Sequence, residues 1–455
     1  MANGLRAALA LALVGVIGCG RGSSAPPPPP PSHEAGASDA PPIEIPSQPL
    51  GLADLASFAW RSRGGQPAFR AARKAEGKED WVEVAARCRE ALAADPGHLE
   101  AAWLYAVALA KTGKLDGVLA PLEVAATGDY GKWALASLDQ PALQPFLATP
   151  SGQAWRRRVE QDRATYLAAL GRAVIVTSHG DVFAFDPQTT RFHRLTHTYG
   201  AVVGTLEGAH EIAYVSRTKK HVGVGIIHPS TGRTTHATPV SGTNVRVAIQ
   251  PKGFAIKAGA AWQLLDDDGK LHPIPPPKLT AWLDVAGKQV KLVRTPGGGI
   301  AGDWDDQGLA SAIRISQTSR TLTVPGQIDG STVAWAPDRS HLAFVALLDD
   351  CKPNGAAAAV FVAETSTGRL DELERAANGL AVEWVGDRKL AIAGDHGVEL
   401  VELGGKPVAL DGADGLVLPR RRPKCAAPEQ AGSDEAPPDE EPGVGDEGSD
   451  ARATP

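Results

Sequence analysis

Several familiar constellations are missing from this chain. No G-x-S-x-G elbow, H-E-x-x-H helix or Walker A loop occurs in its 455 residues, which weakens the case for an enzyme without closing it. A concentrated basic surface is missing too. The formal charge is -6, but nine carboxylates between 426 and 455, set against Arg452, place -8 in that tail and leave the other residues at +2. A nearly neutral body has no basic face with which to neutralise phosphates, so no nucleic acid is expected as a partner. The apolar run Ala7 to Ile17 is also too short for a membrane span, which needs roughly 20 residues.

What the chain does have is glycine and proline, 50 and 36 residues, with a hydrophobic fraction of 43%. That balance suits turn-rich β-structure joined by linkers better than a helical bundle, and it supplies real cores. The length allows two or three domains.

The amino end reads as an export signal, with Arg6 before the apolar run and the small Gly18 after it. Val16-Ile17-Gly18-Cys19 resembles a bacterial lipobox. The resemblance implies that residues 1–18 are removed, that Cys19 is acylated, and that the protein holds to a membrane through that lipid. Gly20 in place of Asp then implies a cell-envelope address at the outer membrane, facing the periplasm or the cell surface. Residues 19–50 carry six consecutive prolines, Pro26 to Pro31, and four more. Proline favours an extended rod of roughly 3.1 Å per residue, so a stalk is expected, with a docking ligand as the competing role.

Residues 51–170 read as helical, with Leu52 to Arg63 as a first helix. Asp80 to Pro96 and Gly97 to Ala125 resemble tetratricopeptide repeats: Ala101, Tyr105, Ala108, Leu109, Gly113, Leu115 and Leu119 fall at the packing positions, and Thr112-Gly113-Lys114 supplies the turn. Two or three such units are too few for a long superhelix and should lean on a neighbouring domain. A further helix is predicted over Gln153 to Leu170. Trp103, Tyr105 and Trp133 are the candidate partner-binding residues of a concave face, and helix packing competes with that role. Cys88 is spaced with Val84, Ala91 and Leu92 on one helix face, which makes it core.

From 171 to 425 the pattern changes to short strands separated by turn residues. Six hairpins, at Val182–Thr196, Val224–Thr238, Trp262–Pro275, Ile313–Val324, Val360–Leu373 and Val398–Leu410, recur at roughly 40 to 50 residues, the length of a propeller blade. Ser331 to Val345 includes Trp335-Ala336-Pro337-Asp338-Arg339 and resembles the W-S-P-D-G blade motif of TolB-like propellers, with Ala336 and Arg339 replacing Ser and Gly. Glu383 to Asp387 is a decayed second copy. The expected fold class is therefore a short tetratricopeptide-like helical module followed by a six-bladed β-propeller, with residues 426–455 as an acidic disordered tail. In an exported protein Cys351 and Cys425 are a candidate disulfide that would tie the chain's end to the ring, work that strand exchange between blades often does.

Other candidates favour bland readings. Gly297, Gly299 and Gly302 satisfy G-x-G-x-x-G, but no helix follows. His193 and His197 are spaced to share a strand face without a third metal ligand. Asp266 to Asp268 and Asp303 to Asp306 are acidic turns rather than calcium loops. No cofactor and no metal is expected. The resulting expectation is a non-enzymatic envelope lipoprotein acting as a protein-interaction platform, with a channel-site propeller enzyme (lactonase or glycan-active) or a purely structural envelope protein as the alternatives.

Overall fold

The computed structural model describes residues 44–55 and 64–417, apart from 47, 209, 220, 280, 287–288, 295–298, 306, 353–355 and 374–378. Seven α-helices come first among them: α1 (Gln66–Glu76), α2 (Trp81–Ala94), α3 (Leu99–Lys111), α4 (Leu119–Gly128), α5 (Tyr130–Asp139), the single turn α6 (Gln144–Leu147) and α7 (Pro150–Gly171). Their ends follow local chemistry. The side chains of Asp80, His98, Asp129 and Thr149 cap α2, α3, α5 and α7 by accepting from backbone N–H groups of the first turn, each worth about 1 kcal/mol. Between α3 and α4 the chain turns at Gly113, whose φ of +74° suits glycine.

Consecutive helices pack on one another from α1 to α5. Val84, Cys88 and Ala91 on α2 are fully buried, so Cys88 is core. α3 is buried on most of its surface because α2, α4 and the turn Pro141–Leu143 pack on it, and its Ala106 and Leu109 belong to one apolar cluster with Leu122, Tyr130, Phe146, Trp155 and Tyr166, and with Val182, Leu195, Ile212 and Ile227 of the β region. The helical module leans on its neighbour as a short array must.

The strands form five antiparallel sheets among the described residues. The first holds Val174–Ser178, Asp181–Asp186 and Arg191–Arg194, joined by Gly415–Leu416 from the far end of the chain. The second runs from Val202–Glu207 to Thr238–Val240, and the fifth from Gly379–Gly386 to Val408–Leu410. All six hairpins expected from the sequence form.

They are distributed over five sheets rather than six. Ala281–Ala286 pairs with Asn244–Ile249 and so joins the third sheet, where Arg246 and Asp284 face each other in register and close a two-pronged ion pair at 2.6 and 2.9 Å. The hairpin Leu309–Ile315 with Arg320–Asp329 instead pairs, through Gly326 to Ile328, with His341–Leu348 of the fourth sheet.

Two further expectations are corrected. Leu52 does not begin a helix: its N–H and C=O exchange bonds of 2.8 and 2.9 Å with Phe192, and Leu55 is fully buried in the apolar cluster of the first and fifth sheets. The edge of the Arg191–Arg194 strand offers unpaired backbone groups, and Leu52 satisfies them. Residues 56–63 lie outside the described residues. Leu50 likewise belongs to the core, not to a linker. Strand exchange joins the two ends of the β region, with Val176 opposite Leu416 and Thr177 opposite Gly415. Asp414 reinforces it by accepting from Thr177 Oγ1 (2.7 Å) and from the His179 N–H (3.0 Å).

The two copies of the Trp-Asp motif meet across neighbouring sheets. Trp384 Nε1 donates to the Ala334 carbonyl at 3.0 Å, and the Asp338 N–H donates to Asp387 Oδ1 at 3.1 Å. Arg339, standing where the motif usually has Gly, adopts φ +59°, the conformation for which glycine is the ordinary choice.

Candidate functional site

A groove of about 550 Å³ opens beside α1, α3 and α5, and Tyr199, from the loop after the first sheet, completes its lining. At its centre Trp103 of α3 and Trp133 of α5 stack with centroids 4.6 Å apart and planes 20° from parallel. The Lys132 ammonium lies 4.1 Å from the Trp133 ring centroid and 5.5 Å from that of Tyr199. Phe69 of α1, tilted against His98 at 4.7 Å, extends the apolar wall. Tyr199 is 41% exposed and held at φ +56°, a conformation that costs a bulky residue about 1 kcal/mol or more.

The charges in the groove cancel. Glu100 lies 3.8 Å from Lys132 and 3.5 Å from Arg194, and Arg73 pairs with Glu76. The groove thus presents an aromatic floor with no net field. Trp133 Nε1 is shielded from solvent and has no hydrogen-bond acceptor, a donor left idle at a cost of about 1–3 kcal/mol.

Below the groove, the helices and first sheet meet in a polar seam. Arg194 donates to Asp181 at 2.9 Å and to the Thr196 carbonyl at 2.8 Å, and Asp181 also accepts from Thr196 and Thr198. His197 Nε2 lies 2.7 Å from Asp129 Oδ2. Burial alone would raise the Asp129 pKa, but His197, Arg194 and Lys132 outweigh it and hold the carboxyl below its ordinary range. Burial drives His193 the other way for a cation, down to about 4. Its Nε2 has no partner, nor has the Tyr166 hydroxyl of α7, whose ring meets His193 edge-on at 5.4 Å. Gly232 fits here because a Cβ would lie 2.3 Å from that hydroxyl.

Of the candidate partner-binding residues, Trp103 and Trp133 come together and Tyr105 does not. Tyr105 packs against the apolar clusters of α1, α2 and α3 instead. His193 and His197 do not form a ligand pair, since one is enclosed against Tyr166 and the other reaches Asp129. Among the described residues no group of three His, Cys, Asp or Glu side chains is placed to hold a metal. Asp266 accepts from the N–H groups of Asp268 and Lys270, and Asp305 from those of Gln307 and Leu309, so both are turn caps. Gly299 precedes a short strand, Ile300–Gly302, while Gly297 and Asp306 lie outside the described residues.

Cys19 and Cys425 also lie outside them, whereas Cys351 is disulfide-bonded. Lys132, Glu100, Phe69 and Tyr199 were not among the sequence candidates. Lys132 had only its place beside Trp133 to mark it, and Tyr199 nothing.

No family model and no curated protein matches the chain. Solved structures similar to it include Hsv2 of Kluyveromyces lactis, at 11% identity and TM-score 0.32, covering 51% of this chain and 90% of that one. A periplasmic gluconolactonase of Pseudomonas aeruginosa matches at 13% identity and TM-score 0.28, covering 54% and 97%. A calcium-binding regucalcin of Agrobacterium tumefaciens matches at 13% and 0.22, covering 46% and 73%. In this chain a helical part is followed by an array of antiparallel sheets, five among the described residues.

Proposed function

We propose that this protein is a non-enzymatic interaction platform of the bacterial cell envelope, held to a membrane by lipid on Cys19, and that its groove takes an extended apolar segment of an envelope protein. The observation that carries the reading is the stacked Trp103–Trp133 pair on the floor of the groove. A stacked aromatic floor offers a flat apolar surface on which an extended apolar segment can lie. The internal pairing of Glu100 with Lys132 and of Arg73 with Glu76 favours an uncharged segment over a phosphorylated or strongly acidic one. The helices are read as tetratricopeptide-like. The ring is read as six-bladed with its fourth blade divided between the third and fourth sheets, because six hairpins recur in order.

A photo-crosslinking residue at Gln140, on the groove wall, and another at the exposed Val82 test this in cells with the full-length protein. An envelope protein captured from position 140 alone is identified, and a synthetic peptide of its crosslinked segment is titrated against the purified protein. Trp103→Ala and Trp133→Ala are expected to weaken that peptide's binding tenfold or more. Equal capture from both positions, or unchanged binding by both variants, overturns the groove assignment. Turnover of a lactone or glycan by the intact protein would favour the channel-enzyme reading.

A further inference from the structure

We infer that the groove carries a receptor for one arginine side chain of the docked segment, built from Glu100, Trp133 and Tyr199, at a place that Lys132 takes in this structure. The inference rests on the groove reading and refines it: the otherwise uncharged segment brings one guanidinium. Glu100, in the first turn of α3, lines the groove with a side chain only 16% exposed. Among the described residues no N–H or O–H donates a hydrogen bond to its carboxylate. Lys132 Nζ stands 3.8 Å from it, Arg194 Nη1 3.5 Å and His98 Nδ1 3.8 Å, all beyond the roughly 2.7–2.9 Å of a charged hydrogen bond. Two of these neighbours are engaged elsewhere: Arg194 donates to Asp181 and to the Thr196 carbonyl, and His98 Nδ1 accepts from the Ala101 N–H. A carboxylate has room for about four donors, so Glu100 holds unused acceptor capacity at the groove wall.

Lys132 fits that place loosely. Its ammonium lies 4.1 Å from the Trp133 ring centroid and 5.5 Å from that of Tyr199, so two aromatic rings flank it. Yet its nearest oxygens, Tyr199 Oη at 3.5 Å and Glu100 Oε1 at 3.8 Å, are distant for a group with three donors to place. A guanidinium suits the same surroundings better. It is planar, it stacks on aromatic faces, and its paired N–H groups reach both oxygens of a carboxylate at once. The Lys132 side chain is 19% exposed on a flexible four-carbon stem, so its head can move to solvent as the arginine arrives. Exchanging one cation for another keeps the groove's charges balanced. The exchange also gives a neutral groove a means of selecting by charge, because an acidic residue at this point would bring a second carboxylate beside Glu100.

Ethylguanidinium is titrated into the full-length protein labelled with fluorotryptophan, in about 0.5 M salt so that distant charges are screened. The Trp133 signal, assigned with Trp133→Phe, is followed by fluorine NMR. A saturable shift is expected, with weaker binding of ethylammonium. Lys132→Ala should tighten ethylguanidinium binding about tenfold by removing the competitor, and Glu100→Gln should weaken it about tenfold. Tyr199→Leu, a change at an exposed loop residue, should weaken it about threefold and keeps the test open should Glu100→Gln not fold. No saturable shift in Lys132→Ala, equal affinity for ethylammonium, or undiminished binding by Glu100→Gln and Tyr199→Leu overturns the receptor. So does a segment captured from position 140 that contains no arginine, and the groove assignment would then stand without it. Ethylguanidinium binding of the expected pattern with no captured segment would uphold the receptor and remove only the docking role.

Discussion

Arg194 of the first sheet donates to Asp181 at 2.9 Å, and both residues are almost wholly buried, 3% and 2% exposed, where the sheet meets the helices. The pair anchors a network that reaches Glu100 on α3 at 3.5 Å, so it ties the groove's wall to the β region. A buried ion pair contributes little over an apolar replacement, yet removing one partner strands the other. Arg194→Leu is therefore expected to destabilise the protein by about 3–5 kcal/mol in urea unfolding, and Asp181→Asn in the same chain should recover part of that loss.

Stability should fall with acid through His193. Its pKa of about 4 in the fold, against an ordinary 6.5, reflects first burial, with Arg172 and Arg191 adding to the shift and Asp186 and Asp129 opposing it. Because the folded value is depressed, the stabilisation is complete above pH 6.5 and is lost as pH falls toward 4, by about 3 kcal/mol in all. His193→Phe keeps a ring against Tyr166 and should flatten that part of the pH profile measured by chemical denaturation.

The Trp103–Trp133 stack should be visible spectroscopically. Two indoles at 4.6 Å couple strongly, so the native protein should show a near-ultraviolet dichroism band that either Trp103→Phe or Trp133→Phe abolishes while the far-ultraviolet spectrum is unchanged. A band that survives both would place the indoles apart.

Cys88 should be inert until the protein unfolds. Burial first, then the nearby Glu76 charge, pushes its thiol to about 12, so almost none is thiolate near neutrality. A thiol reagent at pH 8 is expected to leave Cys88 unmodified in buffer and to modify it fully in concentrated urea, as peptide mapping would report.

The closing strand depends on one carboxylate. Asp414 accepts from both Thr177 Oγ1 and the His179 N–H, and Asp414→Ala removes both bonds at a joint only two residue pairs long. A loss of about 1–3 kcal/mol is expected in urea unfolding, with the amides of Val176 and Thr177 becoming the first strand amides to exchange.

Local pattern was enough to reveal α2, α3, α4 and α7, the six hairpins and the Cys88 core position, because spacing and turn chemistry act within a few residues. Trp103 and Trp133 could be picked out as aromatics on small-residue helices, but Tyr105 carries the same local signal and went to the core. No short-range feature separates them, since α3 is packed on several sides and only its neighbours decide which aromatic faces the groove.

Sequence alone determined where the hairpins turn, that helical spacing gives way to strands after residue 171, and that the charge gathers in one tail. Tertiary structure decided the pairings between distant residues: Leu52 with Phe192, Leu416 with Val176, Lys132 with Tyr199, and the splitting of six hairpins over five sheets. Those outcomes turn on which exposed strand edge or apolar face each segment finds to cover. That choice is made by packing across the whole molecule rather than by the residues on either side.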